Sequence, residues 1–109
     1  MLGVEFQKST KKMLEEPFLE GATPDEKIRQ LLKSEYLRRM ARYRHVDHLM
    51  VSKYGVSFEQ FVARRIVKEN AFSWDVESDA MDWETAISGI KTMERKLGEL
   101  QQVHDVYDR

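Results

Sequence analysis

The feature that most constrains the fold is an uninterrupted amphipathic pattern between Thr23 and Gly55. Thr23, Pro24 and Glu26 supply the hydroxyl, the first-turn proline and the acid of a helix capping box, and Gly55 supplies a stop. Apolar or aromatic residues recur at every third or fourth position in between, on one helix face: Ile28, Leu32, Tyr36, Met40, Tyr43, Val46, Met50 and Tyr54. The sequence therefore predicts one long helix over about 24–54.

Two further helices are predicted after this one. Ser57 begins a second capping box, which places a short helix at about 58–69. A cap at Ser78 or Asp79 then predicts a third helix over about 79–107. Its apolar residues approach a heptad repeat: Trp83, Ile87, Ile90, Met93, Leu97, Leu100, Val103 and Tyr107. The predicted fold is all-α, with two long antiparallel helices and the short helix at the turn.

Residues 1–22 show no such periodicity and are predicted to form an N-terminal arm. Leu2, Val4 and Phe6 alternate within it as in a short strand. Residues 23–109 are then a single helical domain, consistent with a chain of 109 residues. Two long helices enclose little interior, so their apolar faces either bury only each other or pair in a coiled-coil-like manner with another copy or another protein. We expect a homodimer.

Composition excludes several kinds of site. The chain has no cysteine, so neither a disulfide nor a thiolate metal site is available. No apolar run approaches the roughly 20 residues of a membrane span, and the first residues do not resemble a signal peptide. His45 and His48 are interpreted as solvated residues of a polar helix face. We therefore expect a cytoplasmic protein with no metal and no cofactor.

Charge is distributed unevenly along the chain. Residues 25–54 hold eight Lys or Arg and four acids, whereas residues 71–109 hold four and nine. Four arginines cluster on the first helix: Arg38, Arg39, Arg42 and Arg44. We interpret them as a solvated basic face paired with the acidic third helix, because the overall acidity argues against a dedicated nucleic-acid binder.

One stretch carries a resemblance to known proteins. Residues 53–61 read Lys-Tyr-Gly-Val-Ser-Phe-Glu-Gln-Phe, and an acidic tryptophan-containing segment and a helix follow. This arrangement resembles a group of small bacterial and archaeal antitoxin-like proteins that share a Lys-Tyr-Gly-x-Ser-Phe-Glu-Glu-Phe turn. They are often encoded beside a small presumed toxin, some of the TumE-like type. Gln60 replaces the usual second Glu here. The resemblance implies a non-enzymatic protein that pairs with a small basic partner.

The acidic segment gives this expectation a mechanism. Residues 69–84 contain both tryptophans and six acids, and no Lys or Arg occurs between Lys68 and Lys91. Aromatic side chains often anchor interfaces, and carboxylates complement the basic cleft of a toxin that binds RNA. The predicted partner-binding residues are Phe72, Trp74, Asp75, Glu77, Asp79 and Asp82. Trp83 begins the apolar face of the third helix, so we assign it to the core.

Two alternatives stay open. Arg42 and His48, with five residues between them, resemble the Arg-x(4–6)-His pattern of HEPN-type ribonucleases, which are small all-α dimers. That resemblance implies that Arg42 contacts phosphate and that His48 transfers a proton. The other alternative is a structural helical dimerisation domain.

Overall fold

The structure of the protein, a computed structural model, describes residues 6–17 and 20–107, with side chains as far as Gln101. The described residues form helices and turns without a β-strand, which confirms the all-α prediction. The helices are α1 (Lys8–Leu14), α2 (Pro24–Tyr54), α3 (Phe58–Ala63), α4 (Ile66–Glu69) and α5 (Trp74–Tyr107). Leu2 and Val4 of the predicted strand lie outside the described residues.

The chain divides into two compact units, with the boundary between Glu35 and Tyr36. The first unit contains α1 and the beginning of α2. The amide of Glu26 donates a hydrogen bond to the Thr23 hydroxyl at 3.2 Å, and the Glu26 carboxylate accepts one from the amide of Ala22 at 2.7 Å. These two bonds satisfy free amides at the helix start, and the predicted bounds of α2 are confirmed.

In the second unit, α3 and α4 replace the single short helix predicted over 58–69. The predicted capping box at the start of α3 is present: Ser57 and Gln60 exchange side-chain to amide hydrogen bonds of 3.2 Å each. Arg65 then adopts a left-handed conformation with φ of 53°. An α-helix cannot continue through that backbone conformation, so the segment breaks into two short helices.

Helix α5 begins at Trp74, earlier than predicted. The Ser73 hydroxyl accepts a hydrogen bond from the amide of Val76 at 3.4 Å, and the Ser73 carbonyl accepts one from Glu77 at 2.9 Å. The predicted cap at Ser78 or Asp79 is therefore wrong. The earlier start adds a turn whose Val76, together with Ala80, packs against the core of this unit.

That core lies where α3, α4 and α5 meet. Phe61, Ile66 and Trp83 are its buried residues, and Trp83 is fully buried, which confirms its assignment to the core. The Tyr54 ring lies 4.9 Å from Phe61 and 6.0 Å from Trp83, between centroids. The indole Nε1 of Trp83 donates a hydrogen bond to Asp47 of α2 at 2.8 Å, so the buried ring leaves no unpaired donor.

Contacts between α2 and α5 follow a regular order. Side-chain contacts join Tyr54 to Asp79, Asp47 to Trp83, Tyr43 to Gly89 and Tyr36 to Lys96. Later residues of α5 thus meet earlier residues of α2. A β-carbon at Gly89 would lie 2.5 Å from the Tyr43 ring, so glycine allows the close approach of this ring to α5. The two long helices pack together through these contacts.

Candidate functional site

The most exposed aromatic side chain with described burial lies in the first turn of α5. Trp74 is 75% exposed, and Phe72 just before the helix is 59% exposed. Met81, seven residues after Trp74, is 64% exposed, and the exposed carboxylates of Asp75 and Asp82 have the same spacing. Seven residues are close to two helical turns, so each pair lies on one side of α5. We call these five residues the aromatic–acidic face.

Local backbone structure fixes the position of this face. Ala71 and Phe72 both adopt left-handed conformations, with φ of 54° and 55°. Such conformations are uncommon for residues with a β-carbon, and an α-helix cannot continue through them, so they separate α4 from α5. Ser73 caps α5, and Asp75 and Glu77 in its first turn interact favourably with the helix dipole. Trp74 therefore lies in the first turn of a helix, whereas the sequence predicted that it lies before the third helix.

Asp79 and Glu77 are less exposed than the other predicted site residues. The Asp79 carboxylate accepts hydrogen bonds from Lys53 Nζ at 2.5 Å and from the Tyr54 hydroxyl at 2.6 Å. These bonds lower the pKa of Asp79, while burial and the bond to Asp79 raise the pKa of Tyr54 to about 12. Glu77 is half-buried. Asp79 thus joins α5 to the end of α2, while Phe72, Trp74, Asp75 and Asp82 face solvent.

A second surface feature is an open groove between α2, α3 and α5, with a volume of about 730 Å³. Its apolar lining residues are Val51, Ile87 and Ile90. Its polar lining residues carry both signs of charge: Arg44, Asp47, His48, Glu59, Lys91 and Glu94. The guanidinium of Arg44 lies 3.9 Å from the Glu94 carboxylate, so this one arginine of the four pairs with an acid of α5, the helix that the sequence predicted as the third. We call this feature the charged groove.

The ribonuclease alternative rests on Arg42 and His48, which are both exposed on α2. Six residues of helix separate their directions by about 120° around the axis. His48 lines the charged groove beside Arg44, whereas Arg42 is outside the set of side chains that line it. In the part of the chain that the structure describes, no three His, Asp or Glu side chains are grouped closely enough to hold a metal ion.

Comparison with known proteins finds no matching family model, no matching curated protein and no matching solved structure. None of the described helices combines the length and the apolar composition needed to cross a membrane.

Met81 and the charged groove are the surface features that the sequence did not predict. The seven-residue spacing between Trp74 and Met81 is visible in the sequence and could have placed Met81 on the same side of the helix as Trp74. The groove could not be found in this way, because it depends on which residues of α2 and α5 are in contact.

Proposed function

We propose that this chain is a cytoplasmic, antitoxin-like protein-binding module, and that its aromatic–acidic face docks on a small basic partner protein. The observation that supports the proposal best is the exposure of Trp74, with three-quarters of its side chain in solvent. An exposed indole beside a second exposed aromatic ring is a recurrent feature of interfaces, since tryptophan is enriched among the residues that dominate binding energy.

The charges of the face indicate the chemistry of the partner. Asp75 and Asp82 are exposed beside the aromatic residues, and residues 69–90 contain no Lys or Arg. Carboxylates on the rim accelerate association with a cationic surface, while aromatic anchors that become buried in the complex slow its dissociation. The partner that fits this face is a small protein with a basic surface and an apolar pocket.

We also propose that α2 and α5 run antiparallel with α3 and α4 at the turn. The order of the contacts supports this arrangement, because Tyr54, Asp47 and Tyr43 meet progressively later residues of α5. It places the aromatic–acidic face at the turn end of the helix pair.

The anchor role of Trp74 is tested in a complex of the chain with a small basic partner protein, for which the products of adjacent reading frames are the first candidates. Trp74→Ala should raise the dissociation rate of the complex by roughly 30-fold, corresponding to about 2 kcal/mol for an interface anchor. Leu49→Ala is the matched control, because Leu49 is a 51% exposed apolar residue of α2 outside the face. Equal dissociation rates for both variants would contradict the proposal, as would unfolding caused by Trp74→Ala.

The role of the carboxylates is tested in the same complex by varying salt. Asp75→Asn/Asp82→Asn should lower the association rate and flatten its dependence on salt, because screening lengths fall from about 30 Å at 0.01 M to about 8 Å at 0.15 M. Asp25→Asn/Glu69→Gln removes the same charge from exposed positions outside the face. If both double variants change the rate equally, only net charge matters and the face has no specific role.

The ribonuclease and the structural dimerisation hypotheses stay predictions. No specific contact favours the first, because Arg42 and His48 point in different directions and only His48 lines the charged groove. The dimerisation hypothesis is that of a structural helical domain without a toxin partner.

A further inference from the structure

Met81 is the methionine of the aromatic–acidic face, and its thioether is open to small reagents in solution. Met81 is 64% exposed, whereas Met40 and Met93 are buried, at 5% and 6% exposure. Met50 is half-buried. Met13 of α1 is exposed to nearly the same degree as Met81, at 62%, but is not a residue of the face. The two exposed methionines therefore differ in location and agree in accessibility.

Polar residues surround Met81 on the surface of α5. Side chains three and four positions away are the neighbours of a side chain on a helix. For Met81 these positions hold Glu77, Ser78, Glu84 and Thr85. Glu84 and Thr85 are exposed, and the Thr85 hydroxyl donates a hydrogen bond to the Met81 carbonyl at 3.0 Å. None of these four neighbours is an apolar residue that would shield the sulfur from water.

The chain contains no cysteine, and this decides where an oxidant reacts. Without a thiol, the exposed thioethers are the sulfur groups that a hydroperoxide reaches first. Hydrogen peroxide transfers one oxygen atom to the sulfur: an S–O bond forms from a sulfur lone pair, the O–O bond breaks, and the remaining hydroxide takes up the released proton and leaves as water. The sulfur is oxidised by two electrons and the peroxide is reduced. The product is a polar sulfoxide, which methionine sulfoxide reductases return to the thioether.

We propose that Met81 is an oxidation site that controls docking on the aromatic–acidic face, with the thioether form binding the basic partner and the sulfoxide form releasing it. The inference rests on the proposed function, because it concerns the same face. In the thioether form, the flexible apolar side chain lies two turns from Trp74 and can fill an irregular apolar surface. The sulfoxide oxygen requires a hydrogen-bond donor, and its burial against an apolar surface without one is unfavourable.

Oxidation changes polarity and leaves charge unchanged, which gives it a distinct kinetic effect. Asp75 and Asp82 keep their carboxylates, so the association rate and its dependence on salt should stay the same. The dissociation rate should rise about tenfold, because a polar oxygen then lies in the apolar part of the contact. The fold should be retained, because Met81 is exposed and lies outside the buried core.

The reactivity is tested on the free chain with dilute hydrogen peroxide, followed by peptide mass spectrometry and circular dichroism. Met81 and Met13 should be oxidised roughly tenfold faster than Met40 and Met93, since susceptibility follows exposure. Helicity should be unchanged once Met81 is converted. Oxidation of Met81 as slow as that of the buried methionines, or a loss of helicity that accompanies it, would overturn the proposal without any partner being present.

The control of docking is tested with the basic partner protein of the Trp74→Ala experiment. The chain is treated with peroxide, the excess is removed with catalase, and untreated partner is then added. Treatment should raise the dissociation rate about tenfold for the wild-type chain and for Met13→Leu. The rate for Met81→Leu should equal that of the same variant left untreated, because leucine forms no sulfoxide. Equal responses of the two leucine variants would contradict the proposal.

The complex should also protect Met81 from peroxide and leave Met13 reactive, because two linked equilibria affect each other to the same extent. Comparison with Trp74→Ala separates this inference from the proposed function. A complex that Trp74→Ala weakens and oxidation of Met81 does not weaken keeps the docking face and overturns the oxidation site. A complex that neither change weakens overturns the docking face, and the oxidation site with it.

Discussion

Two glycines of α5 provide a test of how closely α2 and α5 approach. A β-carbon built at Gly89 would lie 2.5 to 2.6 Å from three ring atoms of Tyr43, well inside ordinary contact distances. A β-carbon at Gly98 would have no neighbour within 4 Å. Gly89→Ala and Gly98→Ala therefore make the same chemical change in one helix, with and without an opposing side chain.

The free-energy change at each position follows from two effects. Alanine in place of a helical glycine contributes about 0.8–1.0 kcal/mol of stability. Gly98→Ala should gain close to this amount. At Gly89 the Tyr43 ring must move by about 1 Å to reach an ordinary contact distance, and such overpacking costs about 1–3 kcal/mol. Gly89→Ala should therefore be neutral or destabilise the protein by up to about 2 kcal/mol.

Urea unfolding followed by circular dichroism measures both variants at one fixed protein concentration, because any dimerisation makes stability depend on concentration. In a Tyr43→Ala background the steric conflict is absent, so Gly89→Ala should become stabilising, like Gly98→Ala. An equal gain from both glycine substitutions in the wild-type background would refute the contact between Tyr43 and α5.

Two further predictions concern titration and catalysis. Hydrogen bonds from Lys53 and Tyr54 lower the pKa of Asp79 in the folded protein below its ordinary value of 3.8. These bonds therefore contribute their full stability above pH 3.8, and this contribution is lost as the pH falls through the lower pKa of the folded state. Tyr54, with its pKa raised to about 12, contributes stability below pH 10 that is lost between pH 10 and 12. Thermal melts across pH should show both losses, and Asp79→Asn should reduce them; an unchanged profile in that variant would contradict the assignment. We expect no RNA cleavage by the wild-type chain, and reproducible cleavage that disappears in both His48→Ala and Arg42→Ala would instead establish the ribonuclease hypothesis.

Predictions from the sequence were most accurate where the decisive contacts are local. The bounds of α2 follow from a cap at Thr23 and a stop at Gly55, and both involve residues within a few positions of the helix end. The same holds for the capping box of Ser57 and Gln60. Trp83 was assigned to the core because it continues a periodic apolar face, and burial of that face is a general requirement of helix packing.

The start of α5 shows where local signals were insufficient. Ser73, Ser78 and Asp79 are all residue types that cap helices, and the prediction considered only the last two. The structure uses Ser73, and the extra turn brings Val76 against Phe61, Ile66 and Trp83. Burial against residues that are distant in the sequence decided between caps of similar strength.

The sequence by itself determined that the chain is helical, where the first long helix lies, and that residues 69–84 combine both tryptophans with six acids and no Lys or Arg. Only the tertiary structure decided what those residues do. Asp79 meets Lys53 and Tyr54, whereas Trp74 is left in solvent. The physical reason is that capping and periodicity depend on neighbours within about two turns, whereas these contacts depend on the register of α2 against α5, which the packing of Trp83, Asp47, Tyr43 and Gly89 fixes.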